Sequence, residues 1–103
     1  MKVNFKPFKQ ASDVREYLES QLPIGTATVI DVFSFLGEQE LRHSGLADNS
    51  RMVPGLNPLP FEQTIYSSAP AKGFIFRAYW VIRFYFDNQM LAQIEVHKSG
   101  DGI

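Results

Sequence analysis

The chain has 103 residues, ten lysines and arginines against eleven acidic residues, a formal net charge of −1 and no cysteine. That length builds one domain around one core, burying roughly two thirds of the unfolded surface, and the near-neutral balance offers no basic field for a phosphate backbone, so nucleic acid is not an expected partner. Without cysteine there is no disulfide framework, thiolate nucleophile or cysteine zinc site, and the redox compartment stays open.

The N-terminal stretch MKVNFKPFKQ has scattered lysines and no apolar run of signal-peptide length. The expected location is cytoplasmic, or periplasmic or outer-membrane if a leader was removed ahead of Met1. Val3 and Phe5 share a phase that Pro7 interrupts, so residues 1–10 form either a short edge strand or an arm. From Ser12 the period becomes helical, with Val14, Tyr17, Leu18 and Leu22 on one stripe and Asp13 and Glu16 near the positive end of the dipole. Ser12 is the expected N-cap, and Pro23 ends the helix because it disfavours a helical residue before it and has no N–H to donate.

The stretch IGTATVIDVFSFLG predicts a second helix. Thr28 followed three residues later by Asp31 has the form of a capping box, and Gly37 stands where a left-handed C-cap is expected. Val29, Val32, Phe33 and Leu36 make its apolar stripe, widened by Ile30 and Phe35. Residues 42–60 hold three prolines and several turn residues with no sustained period, which predicts a long loop. FEQTIYSS then reads as a strand of about six residues, with 69–73 as the following turn.

FIFRAYWVIRFYF, residues 74–86, carries seven of the fourteen aromatic residues. Arg77 and Arg83 interrupt it, and thirteen residues are too few for a membrane-spanning helix, which needs about twenty, so no transmembrane segment is expected. As a strand it separates into an apolar face of Phe74, Phe76, Ala78, Trp80, Ile82, Phe84 and Phe86 and a mixed face of Arg77, Tyr79, Val81, Arg83 and Tyr85. Only the two N-terminal helices are available to cover the apolar face.

The last strand, 91–98, has Ala92, Ile94 and Val96 in one phase and Leu91, Gln93, Glu95 and His97 in the other. Residues directly opposite in an antiparallel pair share a face, so Phe84 and Phe86 must meet the Ala92, Ile94 and Val96 set. That parity rejects a two-residue Asn88–Gln89 turn and favours a three-residue loop pairing Arg83 with Glu95, Tyr85 with Gln93 and Val81 with His97. The expected architecture is a single α+β domain, two helices on one face of an antiparallel meander of three or four strands, a two-layer sandwich.

Candidate chemistry is sparse. His43 and His97 are too few and too separated for a metal motif, and the pairs Glu16 with Glu19 and Glu38 with Glu40 suit solvated helix surfaces. There is no nucleophile elbow, P-loop or dinucleotide fingerprint. No catalytic residue, metal or cofactor is therefore expected. The mixed face of Arg77, Tyr79, Arg83, Tyr85, Glu95 and His97 interleaves tyrosine and arginine, as protein interfaces do, and Leu56 and Pro58 in the LNPLP segment of the loop are a second candidate contact.

Two stretches resemble a known family. GTATVIDVFSFLG is similar to the Gly-x-Thr/Ser, acidic-Val, Leu-Gly helix of the small outer-membrane assembly lipoproteins of the BamE/SmpA type. YWVIRFYFDNQMLAQIEV resembles their closing hairpin. The helix–helix–strand order is shared with β-lactamase-inhibitor repeats, and the matching stretches cover about a third of the chain. The chain departs from that family in lacking a lipobox cysteine, in having no proline shortly after Gly37, and in the length of 42–60. The resemblance implies a non-catalytic, protein-binding domain of a bacterial envelope. Alternatives are an inhibitor or immunity protein that inserts its proline-rich loop into an enzyme, and a small-ligand domain with a pocket between helices and sheet. An exposed sheet edge also leaves a homodimer open.

Overall fold

A computed structural model describes residues 2–49, 61–71 and 78–100. Among these residues two helices, α1 (Ala11–Gln21) and α2 (Val29–Glu38), precede five strands, β1 (Arg42–His43), β2 (Ala47–Asp48), β3 (Gln63–Ala71), β4 (Ala78–Asp87) and β5 (Met90–Gly100). The strands form one antiparallel sheet in the order β1-β3-β4-β5, with β2 also on β3. The architecture is the expected α+β one with N-terminal helices. Its sheet is larger than expected, because β1 and β2 lie in the segment predicted to be loop; they are too short to show any period.

The apolar face of β4 is buried as its alternation predicts: Trp80, Ile82, Phe84 and Phe86 are each at most 1% exposed. Val14, Leu18 and Leu22 from the first helical stripe and Val32, Phe35 and Leu36 from the second join them in one core. Phe74 and Phe76 lie outside the described residues. Ile30 is 75% exposed and takes no part in the stripe it was expected to widen. It lies beside Val29 at the first turn, rotated toward water while Val32 and Leu36 point inward.

Both helix starts are fixed by an aspartate three residues in. Thr28 Oγ1 accepts from Asp31 N–H at 3.2 Å and Asp31 returns the bond to Thr28 N–H at 2.9 Å, the reciprocal box read from the sequence. In α1 the cap is Gln10 rather than Ser12: the Asp13 carboxylate reaches back to Gln10 N–H at 3.2 Å, and this starts the helix two residues earlier. α1 stops at Gln21, ahead of Pro23. At the end of α2 the left-handed residue is Glu40 (φ 55), not Gly37, which is helical. Leu41 N–H donates to Leu36 O and Glu40 N–H to Gly37 O, a Schellman closure displaced beyond the glycine.

Residues 2–10 form an arm and not an edge strand. Phe5 is buried against Phe8 and Tyr17, and its carbonyl accepts from Trp80 Nε1–H at 2.9 Å, satisfying the one polar atom of the central tryptophan. β3 runs on through Ala69, Pro70 and Ala71, which were expected to turn. Proline is tolerated because β1 pairs only with Ser67 and Ser68, so β3 is an edge strand at Pro70 and its missing N–H costs no ladder bond there.

The β4–β5 hairpin reconciles two expectations that seemed exclusive. Arg83 pairs with Glu95, Tyr85 with Gln93 and Val81 with His97, as predicted. The turn, however, is the two-residue Asn88–Gln89 type, with φ of 51 and 63, the primed geometry that suits twisted strands. A bulge between Tyr85 and Phe86 restores the parity: Phe86 meets Leu91, and Leu91 is fully buried although the strict alternation put it outside. Gln89 holds a left-handed backbone that costs a non-glycine residue about 1–2 kcal/mol. Gln89→Gly is expected to raise the melting temperature, by a net stabilisation of about 0.5–1 kcal/mol after the entropy of the unfolded glycine is counted; thermal unfolding followed by circular dichroism measures it.

Candidate functional site

Strand pairing orders the outer face of the sheet into rows that cross the strands. The first contains Pro70, Tyr79 and Ser99; the second Arg42, Ser68, Val81 and His97; the third Tyr66, Arg83 and Glu95; the fourth Ala47, Thr64, Tyr85 and Gln93. Directly opposed residues share a face, so the pattern of side chains is set by register alone. The expected site residues Tyr79, Arg83, Tyr85, Glu95 and His97 are therefore on one surface. Arg77, Leu56 and Pro58 lie outside the described residues.

The fourth row is covered by the protein itself. Tyr85 is 5% exposed and its ring stacks on Phe61 at 5.0 Å between centroids. Beside it Asn49 is buried, donating through Nδ2 to Thr64 Oγ1 at 2.8 Å and to the Phe61 carbonyl at 2.9 Å, while its backbone N–H donates to Glu62 O. These bonds hold the residue after β2 against the start of β3. Tyr85 is thus a packed residue, a correction to the expectation that its ring is offered to a partner.

Arg83 in the third row donates from Nη1 to Glu95 Oε1 at 2.6 Å, and its guanidinium lies 5.9 Å from the centroid of the Tyr66 ring. The bond to Glu95 pushes the arginine pKa further up. Tyr85 OH donates to Glu95 Oε2 at 3.4 Å. Arg83 and Glu95 are 35% and 41% exposed in their side chains, so the pair contributes at most about 1 kcal/mol. Its effect is to neutralise this row internally.

Burial, and next the neighbouring Glu95 carboxylate, raise the Tyr85 pKa above its ordinary value of 10.0. The folded state keeps the phenol proton where the unfolded chain has lost it. Stability from this group is complete below about pH 10 and falls as pH rises through the folded pKa. Urea midpoints between about pH 9 and 11 are expected to decline more steeply in the wild type than in Tyr85→Phe, which has no phenol to titrate.

The first and second rows are different. No segment of the described chain covers them, and they border a cleft of about 670 Å³ whose lining includes Glu40, Arg42, Ser68, Pro70, Tyr79, Val81 and Ser99. The cleft is part apolar, from Pro70, Val81 and the Tyr79 ring, and part polar, from three hydroxyls, the Arg42 guanidinium and the Glu40 carboxylate. Sequence reasoning found Tyr79 in it and missed Arg42, Ser68, Pro70 and Ser99. Arg42 belongs to a two-residue strand, and only its pairing with Ser68 brings it here.

No protein-family model, curated protein or solved structure matches this chain. What the surface can do is read from its own chemistry. Among the described residues no group of three histidine, aspartate or glutamate side chains could hold a metal ion, and no helix is long and apolar enough to cross a membrane. His43 points away from the cleft, packed 5.5 Å from the Phe33 ring, with Nδ1 2.8 Å from the Ser44 carbonyl.

Proposed function

We propose that this chain is a non-catalytic protein-binding domain that contacts its partner through the uncovered half of the outer sheet face. The observation that carries the reading is the contrast between rows on one surface. Phe61 and Asn49 close the row of Tyr85, whereas Tyr79 and Val81 line an open cleft with Arg42. A partly buried tyrosine beside an arginine and a proline on a rigid sheet is a suitable anchor for a partner, because little side-chain entropy is lost on contact. An envelope role is supported by the likeness of residues 25–37 and 79–96 to the BamE/SmpA type and by the order of helices and strands.

The test is retention of proteins from a native lysate on immobilised domain, comparing the wild type with a Tyr79→Ser, Val81→Ser double variant of unchanged circular dichroism. The double variant is expected to lose retained species. An identical set on both columns would refute the reading. Tyr85 is left intact in this design because replacing it would disturb the fold.

A further inference from the structure

We infer that the open cleft, together with the row of the sheet that continues from it to His97, takes an extended acidic polypeptide segment, one carboxylate held by Arg42 and a second, about four residues along, at His97. The inference rests on the protein-binding reading above and adds the chemistry of the bound segment. It begins from a difference in charge compensation. Arg83 is paired with Glu95 in its row, and Glu40 in the cleft lining is paired with Lys2. Arg42 is exposed and, among the described residues, is bonded through its side chain to no carboxylate. Among the described residues the cleft therefore carries a guanidinium with no carboxylate paired to it.

The second row adds direction. Arg42, Ser68, Val81 and His97 are successive partners across four strands, so cationic or proton-donating groups stand at both ends with a small hydroxyl and an aliphatic side chain between them. Three strand-to-strand steps separate the ends by about 14 Å, and four residues of extended chain advance about 13 Å. A segment crossing the strands with carboxylates four positions apart matches both ends at once. Tyr79 and Ser99, in the adjoining row, offer hydroxyls to its backbone, and Pro70 and Val81 pack its intervening side chains. A nucleic-acid backbone fits less well, since its charges are closely spaced and the chain has a net charge of −1.

The structural part played by Arg42 is its carbonyl, which accepts from Ser67 Oγ–H at 2.7 Å, so its side chain can be changed without breaking the strand pair. The test is fluorescence anisotropy with the full chain and a short fluorescein-labelled peptide carrying two glutamates four positions apart. Parallel probes have glutamine or lysine at those positions, and a thymidine oligonucleotide serves as a fourth. The glutamate peptide is expected to bind roughly tenfold more tightly than the glutamine peptide, and Arg42→Ala to remove that difference. Arg42→Glu is expected to exchange preference to the lysine peptide. Equal binding of the glutamate and glutamine peptides, no binding of either, or preference for the oligonucleotide would each overturn the inference. The protein-binding reading stands or falls separately, by the retention experiment on the Tyr79 and Val81 variant.

Discussion

Phe84→Ala is expected to lower the unfolding free energy by about 3–5 kcal/mol, with the urea midpoint as the measurement. Phe84 is fully buried at the centre of β4, opposite Ile65 on one side and Ile94 on the other. Its removal forfeits the transfer energy of the ring and leaves a cavity that a sheet held from both sides cannot collapse. Domains of this size are stable by only about 5–15 kcal/mol, so the substitution is expected to remove a large fraction of the stability margin. Phe84→Leu keeps most of the volume and is expected to cost much less. A change below about 1 kcal/mol for the alanine variant would mean that the ring is not in the core.

Tyr85→Ala is expected to destabilise by about 3 kcal/mol, although the residue belongs to the outer face. The ring is stacked on Phe61 and shielded from water, so alanine removes an aromatic pair as well as buried area. Tyr85→Phe retains the stack and loses only a long bond to Glu95, which sets its cost below about 1 kcal/mol. Tyr79→Ala, at the partly buried position six residues back, should leave stability nearly unchanged. Chemical denaturation of the three variants separates a packed ring from an offered one: similar losses for Tyr85→Ala and Tyr79→Ala would contradict the division of the face into covered and open halves.

How far the two faces could be read in advance depended on the range of the interaction. The burial of Trp80, Ile82, Phe84 and Phe86 follows from strict alternation, because every second side chain of a strand must point the same way. The Thr28 and Asp31 box is equally local. The start of α1 was misread because Gln10 is a weak cap by composition, and Asp13 reaching back to its N–H decided the matter. The hairpin shows the boundary most clearly. Its pairing of Arg83 with Glu95 was readable from charge and parity, whereas the bulge that lets a two-residue turn coexist with that pairing was not.

The candidate site divides along the same line. Tyr79, Arg83, Glu95 and His97 share a face because they belong to two adjacent strands with a readable register. Arg42 and Ser68 join them only through β1, which is two residues long and has no period to detect. The covering of Tyr85 depends on Asn49 and Phe61, residues from opposite ends of the long connection, meeting at the start of β3.

The amino-acid sequence by itself determined the helices, the long strands, which of their faces is buried and the order of the layers, since these are set by side-chain periods of 3.6 and 2 residues and by caps within one turn. Only the tertiary structure decided which part of the outer face the described residues cover and which they leave uncovered, where the extra residue of the hairpin is absorbed, and that Arg42 borders the cleft. Those outcomes rest on pairings between residues far apart in the chain, and no local pattern encodes a contact whose partner is not nearby.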